Sequence, residues 1–167
     1  MMQEDGVRKG GLETTIYMPK EAIKSLRLEL GNLLGDKLAA GVLFRFGFRC
    51  GEALSEKKNR GESTEKGMDG ALREIWEQTG LGNIVNITDI SEKEIEIEQE
   101  DSTEANSIGR ASEPSCDYTR GYLAGIASIL EKKKFYCVET ECISEGKKRC
   151  VFKLVMFPHR VYVPKKT

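Results

Sequence analysis

Apolar positions recur along the first half of the chain at helical spacing and along much of the second at strand spacing. Ile23, Leu26, Leu30 and Leu34 follow one another every three or four residues. Lys20 to about Leu34 is therefore expected as an amphipathic helix, entered through Pro19, whose missing N–H costs nothing in a first turn. Gly31 and Gly35 are the positions at which it breaks or ends. Asp36 to Lys58 reads as a second helical stretch and contains Gly41, Gly47 and Gly51. A glycine inside a helix costs ~1 kcal/mol relative to alanine, so three of them suggest that another backbone, or a ligand, comes close. Met68 to Thr79 forms a third helix with Leu72, Ile75, Trp76 and Thr79 on one side and Gly80 as its stop.

Strand patterns follow. Ile84 to Ile90 carries apolar residues at 85, 87 and 90, with Ile84 off register. Ile95 and Ile97 alternate with Glu94, Glu96 and Glu98, the pattern of a half-exposed strand. Glu100 to Ser115 is polar and reads as a loop, long for a structureless connection and so a candidate lid or crossover. Tyr118 to Glu131 is a fourth helix, with Asp117 as N-cap and Lys132, Lys133 and Lys134 complementing its C-terminal end. Phe135 to Cys142 and Arg149 to Met156 are strands joined by Ser144-Glu145-Gly146-Lys147. Thr14 to Met18 is short and β-leaning, and Lys57 to Lys66 is a charged loop. The order predicts an α+β domain, a mostly antiparallel four-stranded sheet with helices packed against it. Residues 1–12 read as a flexible tail, and residues 13–164 as a single domain.

Composition narrows the function classes. The 167 residues are 39% apolar and 32% charged, with 26 basic against 27 acidic side chains and a net charge of -1. No basic excess argues for nucleic acid or an anionic membrane as partner. Nothing approaches the ~18 consecutive apolar residues of a membrane span. Met1 to Gly11 lacks the apolar core of a signal peptide, so a cytoplasmic location is expected.

Five cysteines and one histidine, His159, are present. In a reducing compartment cysteines point to metal, reactive thiols or core positions before disulfides. Cys50 and Cys137 read as core residues. Cys116, Glu139, Cys142 and Cys150 stand as C-x22-E-x2-C-x7-C, and three thiolates with a carboxylate can close a tetrahedral zinc shell. If the last hairpin is centred on Gly146, residues whose numbers sum to 292 face each other, and Cys142 and Cys150 do so. Glu139 and Cys142 would face opposite ways on a regular strand, so shared ligation needs a bulge or twist near Thr140-Glu141. Cys116 precedes a helix N-terminus, where exposed N–H groups favour a thiolate. A Cys142–Cys150 disulfide is the rival arrangement, and His159 or water could stand fourth in place of Glu139.

The run Cys116-Asp117-Tyr118-Thr119-x-Gly121-Tyr122-Leu123-Ala124-Gly125, with Val138-Glu139-x-x-Cys142 and Gly146-x-x-x-Cys150-x-Phe152, resembles the 4-vinyl reductase (hydrocarbon-binding) domain family. Gly41-x5-Gly47-Phe48-x2-Gly51-Glu52 and Glu104-Ala105 extend the likeness, which covers residues 14 to 157. The resemblance implies a ligand-binding fold of the NO-signalling and Golgi-transport type. That fold is shared with the sensor domains of phenol- and xylene-responsive activators and with TRAPP tethering subunits, which hold a hydrophobic channel. It also implies structural zinc at Cys116, Glu139, Cys142 and Cys150, and a homodimer. The family name comes from vinyl-group reduction in bacteriochlorophyll synthesis, yet no hydride-donor machinery is visible. Gly80-Leu81-Gly82 follows a helix and lacks a third glycine, so it is not a dinucleotide fingerprint.

Candidate walls of a ligand pocket are Phe44, Phe48, Trp76, Tyr122 and Ile126, and Gly121 and Gly125 would let something approach their helix closely. Aromatic residues at this spacing also fit a plain core. Arg45 and Arg49 could reach an anionic head group, although a solvated helical face explains them as well. Lys165-Lys166 reads as a soluble tail. The first functional expectation is a stand-alone sensor or carrier of a small hydrophobic molecule that passes its output to a downstream protein partner. The alternatives are an enzyme or accessory in tetrapyrrole vinyl-group reduction, and a lipid-filled assembly subunit.

Overall fold

The computed structural model describes residues 18–59 and 67–157. The tail, most of the β-leaning stretch and of the charged loop, His159 and Lys165-Lys166 lie outside them. Helices α1 (Glu21–Leu34), α2 (Asp36–Asn59) and α3 (Gly67–Trp76) come first, then strands β1 (Asn83–Ser91) and β2 (Glu94–Glu100). A short helix α4 (Thr103–Ile108), the helix α5 (Asp117–Leu130) and strands β3 (Phe135–Glu141) and β4 (Cys150–Met156) complete the order. The sheet runs β1-β2-β4-β3, antiparallel throughout, so the expected α+β class holds.

Gly31 stays inside α1, and its carbonyl accepts the N–H of Gly35, which ends the helix at a φ of 81°. None of the residues of α1 is fully buried. The tightest helix pair is α2 with α5. Gly47 and Gly51 lie against the carbonyls of Tyr118 and Tyr122, while Gly121 and Gly125 lie against those of Phe44 and Phe48. The glycines therefore admit another backbone, one of the two readings their presence suggested.

Helix α5 also packs on β3 and β4. Beneath it Ile95, Ile97 and Gln99 of β2, Phe135 and Cys137 of β3, and Phe152 and Leu154 of β4 turn inward. Three sequence expectations need correction. In β1 a bulge between Ile84 and Asn86 resets the register, so Ile84 and Ile87 face the core while Val85 and Ile90 are exposed. The predicted loop from Glu100 to Ser115 contains α4, whose N-cap Ser102 accepts the N–H of Ala105 at 3.3 Å. Asp117 is not the cap of α5, because Cys116 holds that position without a side-chain cap bond. The cap comes from α4 instead: buried Glu104 accepts the N–H groups of Tyr118 and Thr119 at 3.0 and 2.8 Å.

Candidate metal centre and ligand cleft

The hairpin register explains how a carboxylate and a thiol three residues apart reach one point. Along the body of the hairpin Glu139 opposes Phe152, and beyond a bulge at Thr140 Glu141 opposes Val151. The pairing that sums to 292 thus holds only past the bulge. The inserted residue turns Glu139 and Cys142 to the same side. A 3-10 turn, Ile143–Glu145, and Gly146 in a left-handed conformation then bring the chain back to Cys150.

Cys116, delivered by the start of α5, completes the group. The Sγ–Sγ separations are 3.7 Å for Cys116–Cys142, 3.8 Å for Cys116–Cys150 and 3.8 Å for Cys142–Cys150. Ligands ~2.3 Å from a tetrahedral ion stand ~3.8 Å apart, whereas a disulfide requires ~2.05 Å. All the cysteines are free thiols, so the rival disulfide is not formed. Glu139 Oε2 accepts the N–H of Cys116 at 2.8 Å, while its buried Oε1 has no hydrogen-bond partner among the described residues. A buried, unpartnered carboxylate oxygen is costly unless a cation or donor meets it. The four donor atoms all lie within 4.8 Å of one another, and this group could hold a metal ion.

Electrostatics follow from sharing protons among three buried sulfurs. Hydrogen bonds from Cys116, Cys150 and Ser144 hold the Cys142 thiol far below its usual range. Cys116 is raised, because it keeps its proton in bonds to Cys142 and Cys150 and is buried. For Cys150 the contact with Cys116 works downward, but donation to Cys142 and burial prevail and push it up. Burial, then the neighbouring Cys142, raises Glu139 to about 8. One thiolate and several held protons surround the point where a cation would replace those protons, so metal uptake would release acid.

The surroundings orient the sulfurs. Ser144 Oγ lies 3.0 Å from Cys142 Sγ and accepts from Ser115 Oγ at 2.9 Å. Ser102 Oγ lies 3.4 Å from Cys116 Sγ, and the N–H of Ile143 points at Cys150 Sγ at 3.4 Å. Such outer contacts fix ligand geometry. Ser102, Glu104, Ser115 and Ser144 escaped the sequence reading because isolated small polar residues look like loop. Only the N-cap pattern at Ser102 could have signalled α4.

The proposed pocket walls divide. Phe44 and Phe48 are half-buried and line an open cleft of about 690 Å³. Trp76 is 1% exposed, donates its indole N–H to Gly82 at 3.0 Å, and meets Tyr122 edge-on at 6.0 Å. It borders a different hollow, of about 380 Å³ with Arg73 and Asp101. Tyr122 and the fully buried Ile126 line neither. Cys137 is buried in the core and Cys50 half-buried, both apart from the metal group. No helix among the described residues is long and apolar enough to cross a membrane.

A family model for the vinyl-4-reductase domain matches residues 95–156, a stretch that contains all four residues of the metal group. The transcriptional regulatory protein XylR of Pseudomonas putida is 26% identical over 152 residues, covering 84% of this chain and 27% of XylR. An uncharacterised protein of Methanocaldococcus jannaschii is 48% identical over 42 residues, 25% of this chain and 26% of that protein. The chain thus aligns with about a quarter of the length of these curated relatives. Among solved structures, the phenol-responsive sensory domain of the transcription activator PoxR, with phenol, superposes with a TM-score of 0.67. The identity there is 26%, over 85% of this chain and 76% of that domain. A vinyl-4-reductase family protein from Methanocaldococcus jannaschii shares the fold at a TM-score of 0.63 and 21% identity, over 86% of this chain and 85% of that one. So does trafficking protein particle complex subunit 3 of Naegleria fowleri, covalently bound to palmitic acid, at 0.58 and 16%, over 84% and 98%.

Proposed function

We propose, from the vinyl-4-reductase domain that this chain carries at residues 95–156, that it binds or senses a small hydrophobic or aromatic molecule and is braced by structural zinc. The likeness to the phenol-responsive sensory domain, 26% identical over 85% of this chain, carries the reading. The zinc would be held by Cys116, Glu139, Cys142 and Cys150. Their near-equilateral sulfur triangle and the unpartnered Glu139 oxygen support the assignment. With four protein ligands the ion would brace and leave no open position for catalysis. It would tie the start of α5 to the closing hairpin and so steady the wall against which a ligand packs.

Phe44, Phe48, Trp76, Tyr122 and Ile126 are the proposed ligand contacts. Phe44 and Phe48 would act from the cleft, and the other three would shape α5 and α3 behind it. We read the chain further as a homodimer that signals to a downstream protein. An exposed apolar stripe of Leu26, Leu33, Leu34, Leu38, Val42 and Phe46 on α1 and α2 supports the dimer.

Native mass spectrometry combined with ligand titration tests this reading. Trp76 is the only tryptophan, so its fluorescence reports binding of phenol, toluene or dodecanoate. One zinc per chain and a saturable fluorescence change with at least one compound are expected. A metal-free folded protein that responds to none of them would overturn the proposal.

A further inference from the structure

The cleft bordered by Phe44 and Phe48 has a chemical character that a purely hydrophobic ligand would not need. Its floor is a chain of rings: Phe44 with Phe48 at 6.4 Å, Phe44 with Tyr136 at 5.5 Å and Tyr136 with Phe157 at 6.0 Å. Tyr136 and Phe157 remain 39% and 55% exposed. Around this floor stand Arg45 and Arg49 from α2 and Lys132, Lys133 and Lys134 from the turn between α5 and β3. The turn is held by Lys132 in a left-handed conformation, at a φ of 52°.

The lining holds one carboxylate, Glu52, and Arg49 already engages it at 2.7 Å. The other four cations form no ion pair among the described residues. A chain with a net charge of -1 therefore gathers five cations against one acid around a single apolar hollow. Part of that charge offsets the negative end of α5, but Arg45 and Arg49 belong to another helix. At about 690 Å³ the hollow falls in the usual range for a small ligand. Its concavity suits an enclosed molecule better than a flat lipid surface.

We propose that this cleft takes a small amphipathic anion, with an apolar or aromatic body on the ring floor and a carboxylate or phosphate on Arg45 and the three lysines. The proposal rests on the ligand-binding reading for the body and adds the charge of the head. Lysine and arginine at a partly desolvated rim attract such a head group, and the exposed rings receive the apolar part.

Two fluorescent probes of similar body separate the two halves: 8-anilinonaphthalene-1-sulfonate, which is anionic, and N-phenyl-1-naphthylamine, which is neutral. With the full zinc-loaded chain the anionic probe should bind saturably and be displaced by dodecanoate. In Arg45→Glu/Lys133→Glu, two exposed positions that the fold tolerates, its affinity should fall tenfold or more while the neutral probe is unaffected. Tyr136→Ser should weaken both. An anionic probe that binds the charge-reversed chain as well as the native one overturns the anion assignment and leaves the hydrophobic reading standing. If neither probe binds the native chain, the ligand-binding reading falls as well. Sedimentation with phosphatidylglycerol vesicles, without saturable uptake of dodecanoate, would overturn the proposal in favour of a membrane surface.

Discussion

Gly47 of α2 lies so close to the main-chain carbonyl of Tyr118 in α5 that a side-chain carbon at Gly47 would overlap that oxygen. The relationship is reciprocated at Gly121, which meets the carbonyl of Phe44. Neither partner can retreat without parting two helices, so overpacking should cost at least the ~1–3 kcal/mol typical of forced insertions. Gly47→Ala or Gly121→Ala is expected to lower unfolding free energy by that amount or more in urea titrations. Gly41, on the same helix, has open space where a side chain would go. Gly41→Ala should instead stabilise by up to ~1 kcal/mol through helix propensity. Equal effects at Gly41 and Gly47 would refute the backbone-contact account.

The metal assignment makes a separable prediction. Cys142→Ser or Cys150→Ser should release zinc and lower the melting temperature by on the order of 10 °C, since binding of a structural ion is coupled to folding. Cys50→Ser, outside the cluster, should keep stoichiometric zinc. Metal analysis of the three purified variants decides the matter. Full zinc content in both cluster variants would remove those residues from the ligand set.

Glu104 should impose a pH dependence of its own. It is fully buried, and desolvation raises its carboxyl from 4.5 to about 7, against the pull of the Thr119 and Tyr118 N–H groups. The folded state therefore keeps a proton that the unfolded chain loses near 4.5. Its contribution is fully present below that pH and is lost as pH rises through about 7. The difference corresponds to ~3 kcal/mol. In denaturant titrations from about pH 5 to 7.5, native stability should decline relative to Glu104→Gln, which cannot ionise. Parallel pH profiles would show that Glu104 does not titrate in this range.

Legibility in the sequence followed the physics of each element. Helices α1, α2, α3 and α5 announced themselves because one face of each carries apolar residues at helical spacing, and β2 because Ile95 and Ile97 alternate with glutamates. The sulfur cluster was legible because hairpin pairing is arithmetic, and the bulge at Thr140 was required by the odd spacing of Glu139 and Cys142. What stayed hidden depends on contacts between distant residues. Glu104 caps a helix that starts more than a dozen positions later, and Asp117 turns aside to Arg27 and Arg120, each at 2.6 Å. In β1 a bulge reversed the inside and outside of Ile84 and Val85, and no local pattern marks it. The pocket walls divided because helical periodicity gives a face but not which neighbour covers it.

The least buried helix carries the last prediction. α1 has no fully buried residue, and Leu33 is 77% exposed, with Leu38 at the start of α2 63% exposed. Held to the domain mainly through α2 and the Arg27–Asp117 ion pair, α1 leaves apolar area that self-association would remove from water. In an isologous dimer each residue of the patch is used twice, so two charges per chain place four in the interface. Sedimentation velocity at micromolar concentration should show a dimer for the native chain and a monomer for Leu33→Glu/Leu38→Glu. Zinc content should be unchanged, because neither leucine belongs to the metal group. A monomeric native chain, or a variant that stays dimeric, would move the contact elsewhere or abolish it.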